Sequence, residues 1–206
     1  MTRVVLRGGA AVVCLVAAAL LVLLAVDAHA WSTRLPADDL RYRHDVVRHD
    51  LWHPRELTPF HLDRDVLAVG DDLAYRKALR AFRLGRALEQ LPGTGATTRR
   101  VDAQIALEKF MGQAKDAKRR SQAANLIGVL GFAAAVQDVG QQTTFINNAV
   151  ASFRQAIALD PTNDDALFNL EYALDELKEY EEQQTGSGQR LGQRGAAGTR
   201  EAGHGY

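Results

Sequence analysis

Cysteine is almost absent from this chain of 206 residues: Cys14 is the only one, and it lies inside an apolar run. No intramolecular disulfide and no thiolate metal site can therefore be built. An excess of charge is missing too, with 25 basic against 25 acidic residues, which argues against nucleic acid as a partner. No Ser/His/Asp or Cys/His arrangement marks a nucleophile. Gly93-Thr-Gly95 lacks the Gly-Lys-Ser/Thr that a phosphate loop requires. Strand-like alternation is lacking as well. These absences point to a non-enzymatic, all-α protein with no cofactor.

What the chain does have begins at its N-terminus. From Gly8 to Val26 no side chain is charged, a run of 19 residues that suffices to cross a bilayer as a helix. Arg3 and Arg7 precede it and favour a cytoplasmic N-terminus, although Arg34, Arg41, Arg43 and Arg48 beyond the span weaken the asymmetry. Residues 1–30 are thus expected to form a signal anchor in the cytoplasmic membrane, with the rest extracytoplasmic. Ala28-His29-Ala30 offers the alternative, cleavage after Ala30 and secretion. Ala11-Val12-Val13 before Cys14 does not fit a lipoprotein signal.

Residues 31–65, broken by Pro36, Pro54 and Pro59, read as a polar His/Arg-rich juxtamembrane stalk. His49 and His53 would share one face of a helix and could offer two imidazoles to a metal. Pro54 ends any such helix at once, and no glutamate completes an HExxH motif, so a solvated stalk is the simpler reading. Residues 66–183 carry helical periodicity, with Tyr75, Ala78, Leu79, Phe82 and Leu88 as one apolar stripe. That helix should stop at Pro92 in the loop LPGTGATT, which matches a sortase signal in letters but not in position. A helix from about 101, another over 121–138 capped by Ser121, a loop at 139–144, and helices over 145–159 and 164–183 complete the set. Residues 184–206, rich in Gly and Arg, are expected to be disordered.

The most specific pattern lies between Ala149 and Leu174. Ala149, Phe153 and Ala156 recur at i, i+4 and i+7, Pro161 turns the chain, and Leu167, Leu170 and Leu174 mark the next helix. This spacing resembles the end of one tetratricopeptide (TPR) helix pair and the opening of the next. Glu171 stands where the small glycine of that family is usual. AANLIGVLGF also resembles a diverged first TPR helix through Asn125, Leu126 and Gly128. The run DALFNLEYAL is similar to that of TPR membrane proteins encoded with aerotolerance (Bat) and MoxR-type ATPase operons, which accompany von Willebrand factor A proteins.

The resemblance implies a short, irregular array of helical hairpins behind one transmembrane helix. It also implies a groove lined by Asp165, Phe168, Asn169, Tyr172 and Glu176, with Asn169 in the place of an asparagine that bonds a bound peptide. The function expected is that of an envelope adaptor whose protein partners are membrane proteins of the same operon. Two alternatives stand beside it: an exported metal-binding protein using the histidine-rich stalk, and a structural protein that only self-associates.

Overall fold

The computed structural model describes residues 2–87 and 94–185, and every regular element among them is helical. The chain divides into two compact units, one ending at Ala74 and one beginning at Tyr75.

The first unit is built on α1 (Thr2–His44), 43 residues without a break. At 1.5 Å per residue such a helix is about 65 Å long. Its first part is long and apolar enough to cross a membrane, and none of that run is covered by other parts of the protein. Val12, Val13, Leu15 and Leu21 stand exposed, which suits a solvent of lipid. α1 does not stop near Ala30. It runs on through Pro36, whose ring removes one backbone bond without ending the helix.

The expected stalk is instead folded. After His44 the chain turns and comes back along α1 as a strap, then forms α2 (Leu62–Val66) and enters α3 (Val69–Ala87). Trp31, Tyr42, Leu51, Trp52 and Leu73 make one buried cluster, lined by Leu35, Val46, Leu67 and Val69. The Tyr42 and Trp52 rings meet at 5.3 Å. A strap with so little regular structure must find other partners for its N–H groups. Buried carboxylates supply them: Trp52 N donates to Asp38 Oδ2 at 2.7 Å, and Leu57 N and Thr58 N donate to Asp27 at 2.8 and 2.7 Å.

The second unit holds the rest of α3, then α4 (Thr94–Gln113), α5 (Ala117–Gln137), α6 (Gln142–Leu159) and α7 (Asp164–Thr185). Thr94 and Gly95 open α4, so the loop expected through Thr98 is helix instead. The helix stop expected at Pro92 lies outside the described residues, as do residues 186–206 of the tail. α5 starts earlier than expected because Asp116, not Ser121, caps it, accepting from Lys118 N at 2.9 Å. Ser121 is buried and bonds Ala156 O at 2.7 Å. Between α5 and α6 only a single 3-10 turn remains of the expected loop.

α5 is the central helix, packing on α4, α6 and α7. It runs antiparallel to α6, as the pairs Ser121–Ala156, Gly128–Phe153 and Gly131–Ala149 show. The seam is made of small residues, so the backbones approach closely. A Cβ on Gly128 would stand 2.6 Å from Phe153 Cδ1, so any side chain there must push the Phe153 ring aside. Ala124, Ala156 and Ala166 join α5, α6 and α7 in one cluster, closed by Met111, Ile157 and Leu159.

A candidate protein-binding surface on the last helices

α7 reaches α5 through its smallest side chains. Ala166, Asn169 and Ala173 are fully buried, whereas Leu167 is 44% and Leu174 38% exposed. On α6 the residues Ala149, Phe153 and Ala156 are buried, whereas on α7 the large apolar residues expected in the core, Leu167 and Leu174, are not. Close packing against an alanine seam turns α7 so that its small residues face inward. Leu170 is half-buried at the edge, while Leu167 and Leu174 flank the contact and face out. Pro161 is exposed in the turn that leads into α7.

That turn is fastened by a relay. Asn163 Oδ1 accepts from Ala166 N at 3.1 Å and caps α7, while its amide donates to Ser121 Oγ at 2.8 Å. Ser121 in turn donates to Ala156 O at the end of α6. One hydroxyl thus ties three helices together. Asp160 accepts from Thr162 Oγ1 and N, and these bonds hold its carboxyl below the usual carboxylate range.

The candidate groove residues divide in two. Asn169 is not available to a bound peptide: its amide donates to Asn125 Oδ1 at 2.9 Å, and both side chains are fully buried. The expected ligand asparagine is instead a lock between α5 and α7. Asp165, Phe168, Tyr172 and Glu176 do share one flank of α7, at i, i+3, i+7 and i+11. Tyr172 packs on Phe132 of α5, ring centroids 5.3 Å apart. Phe168, one turn earlier, is 47% exposed. Three aromatic side chains thus form a ridge along α5 and α7, with a half-buried carboxylate near each end of the α7 flank. The spacing on α7 gives no sign of Phe132, because its ring partner Tyr172 lies forty residues away.

Other groups of potential ligands lie in the first unit. His49 and His53 are exposed and on no helix, so their i, i+4 spacing creates no shared face. His53 Nδ1 meets its neighbour Leu51 O instead. Glu56, His61 and Asp63 bring ligand atoms within 4.8 Å of one another. Glu56 already has two partners, however, His61 at 2.5 Å and Arg64 at 2.8 Å, and Trp31 Nε1 donates to Asp63 at 2.7 Å. Burial raises the Glu56 pKa, but the bonds from His61 and Arg64 outweigh it and leave the carboxyl below its ordinary value. The cluster is an ion-pair network at the strap's turn. An open cleft of about 350 Å³ lies between α1 and the strap, lined by Arg34, Arg41, His53 and Arg55. Two of those arginines are committed to Asp38, at 2.7 and 2.8 Å.

No protein-family model, no curated protein and no solved structure matches this chain.

Proposed function

We propose that this protein is a membrane-anchored, non-enzymatic adaptor that captures a protein partner on the α5/α7 ridge. The observation that carries the reading is the half-exposed aromatic row Phe132, Tyr172 and Phe168, flanked by Asp165 and Glu176. Such a row offers apolar area at low entropic cost, and the carboxylates favour a partner segment with basic ends. The TPR-like spacing around Phe153 and Pro161 supports a helical-hairpin scaffold for that surface. The similarity to the Bat and MoxR-type operon proteins supports membrane proteins of the same operon as partners. Arg3 and Arg7 favour a cytoplasmic N-terminus and hence an extracytoplasmic adaptor.

The test is a photo-crosslinking amino acid at position 168, in native membranes, followed by mass spectrometry. A discrete adduct that disappears when Tyr172→Ala is added, with helical content unchanged, is the expected result. The same adducts from positions 168 and 178 would sink the ridge, since Lys178 is exposed on the opposite flank of α7.

A second reading, self-association in the envelope, is favoured by a separate observation. Leu167 and Leu174 form an exposed i, i+7 stripe on the flank away from the ridge. A dimer in sedimentation equilibrium that dissociates with Leu167→Asp and Leu174→Asp would favour it.

A further inference from the structure

The strap does not only return along α1; it returns to the edge of the apolar span and turns there. Three sets of contacts fix its course. Trp52 is held at the level of Asp38 and Asp39, Leu57 and Thr58 at the level of Asp27, and Asp63 at the level of Trp31. The chain therefore descends the helix, reaches its lowest point at Leu57–Thr58, and climbs again. Asp27 is the first charged residue after the 19 uncharged ones, so this lowest point lies beside the end of the span.

The tip between descent and ascent is apolar. Phe60 is 92% exposed, with Leu57 at 45% and Leu62 at 42%. Phe60 and His61 take consecutive left-handed conformations, with φ of 60° and 56°, in a turn where glycine or asparagine would be unstrained. No packing within the unit accounts for a phenylalanine there. Meanwhile Asp27 is fully buried, its carboxylate taken up by Leu57 N, Thr58 N and the Thr58 hydroxyl. The charge that would be costly beside hydrocarbon is satisfied, and the tip beside it presents aromatic and aliphatic side chains.

We propose that the Leu57–Leu62 turn is a second membrane contact, in which Phe60 inserts into the interfacial zone of the bilayer that α1 crosses. The occupant follows from continuity. The exposed tip lies at the level where the uncovered span ends, and lipid is the medium that the span requires on every side. Phenylalanine and leucine are among the side chains that interfacial segments bury at the boundary of headgroups and acyl chains. His61 and Arg64, paired with Glu56, place polar groups directly behind the ring, as an interfacial segment requires. The contact would fix how deeply the helix sits and how the folded unit is turned toward the surface.

This inference rests on α1 remaining in the membrane, and the single native cysteine allows the two to be tested apart. The full chain is reconstituted in phosphatidylcholine/phosphatidylglycerol vesicles and spin-labelled at one position at a time. Position 14 uses the native cysteine; Phe60→Cys and Leu40→Cys are made with Cys14→Ser. Leu40 is exposed on α1, 13 residues and so about 20 Å beyond Asp27, and reports water. Label accessibility is read against oxygen, which enters lipid, and a nickel chelate, which stays in water. The expected result is a label at 60 shielded from nickel relative to 40, with oxygen access between those of 40 and 14. Equal nickel access at 60 and 40, with 14 in lipid, overturns the second contact and leaves the anchor. A label at 14 open to nickel overturns both. Because Phe60 contributes nothing to the buried cluster, its replacement should leave the fold intact, and circular dichroism checks this.

Discussion

The two units solve the same problem, holding short elements together, with different chemistry. The first uses charge: Asp27, Asp38 and Asp63 are fully buried, and each accepts a hydrogen bond from an N–H group far away in the chain. The second uses size: its seam is alanine and glycine, and the buried polar side chains among its described residues, Ser121, Asn125 and Asn169, are neutral. A strap without regular structure has unpaired backbone donors that need acceptors, and a carboxylate is the strongest one available. A helix has no such need in its interior, so the cost of approach is set by side-chain volume alone. Buried charge therefore marks where secondary structure is missing.

That contrast can be broken first at Asp27. Asp27→Ala would leave two N–H groups and a hydroxyl without their acceptor, a loss of about 3 kcal/mol at the usual cost of unmade bonds. Hydrogen exchange should show the Leu57 and Thr58 amides opening while the α5 and α6 amides keep their protection. Equal loss in both units would end the distinction. Next comes Gly128→Ala, whose methyl must displace the Phe153 ring at a cost of about 1–3 kcal/mol. Here the thermal melting of α5 and α6 should fall and the strap should not respond.

A smaller effect separates one amide from two. Asn169→Leu alone takes away the donor that the buried Asn125 Oδ1 accepts from, costing about 1–2 kcal/mol, whereas adding Asn125→Leu should recover most of it. Chemical denaturation of the single and double variants reads the difference. If the double variant is worse than either single one, the pair does more than satisfy itself.

The smallest effects are those of pH. Glu56 is held below its ordinary value of 4.5, so its stabilisation is complete above that pH and fades as pH falls through the lower folded value. Glu56→Gln should remove this acid sensitivity of the strap, seen by exchange below pH 4.5. Tyr75, pushed up to about 12 by burial, behaves with the opposite sense. It favours the folded state below pH 10 and loses that effect as pH rises toward 12, and Tyr75→Phe should flatten this alkaline limb. A melting curve at several pH values follows both.

Legibility in the sequence followed the range of the interactions. α6 and α7 lie close to their expected bounds because their periodicity is local and Pro161 punctuates it. Gly128 and Asn125 stood out through the TPR resemblance, and both bear on the close approach of α5 to its neighbours. Leu167 and Leu174 misled, because hydrophobicity alone selects the largest apolar residues while a tight seam selects the smallest. The strap was invisible for a different reason. Its order depends on aspartates that meet backbone groups 14 to 31 residues away, and nothing in a polar, proline-broken stretch announces such pairs. The aromatic ridge was half legible: Phe168 and Tyr172 follow from spacing on one helix, Phe132 only from the packing of two.

The unbroken course of α1 has a mechanical consequence. The segment suited to lipid and the 18 residues from Asp27 to His44 form one beam with no hinge between them. A membrane span adjusts to a thinner bilayer by tilting, commonly by about 20°. A rigid extension of 18 residues, about 27 Å long, would then swing its far end by about 9 Å across the surface. Bilayer thickness thereby becomes a displacement of Tyr42 and the aromatic cluster around it.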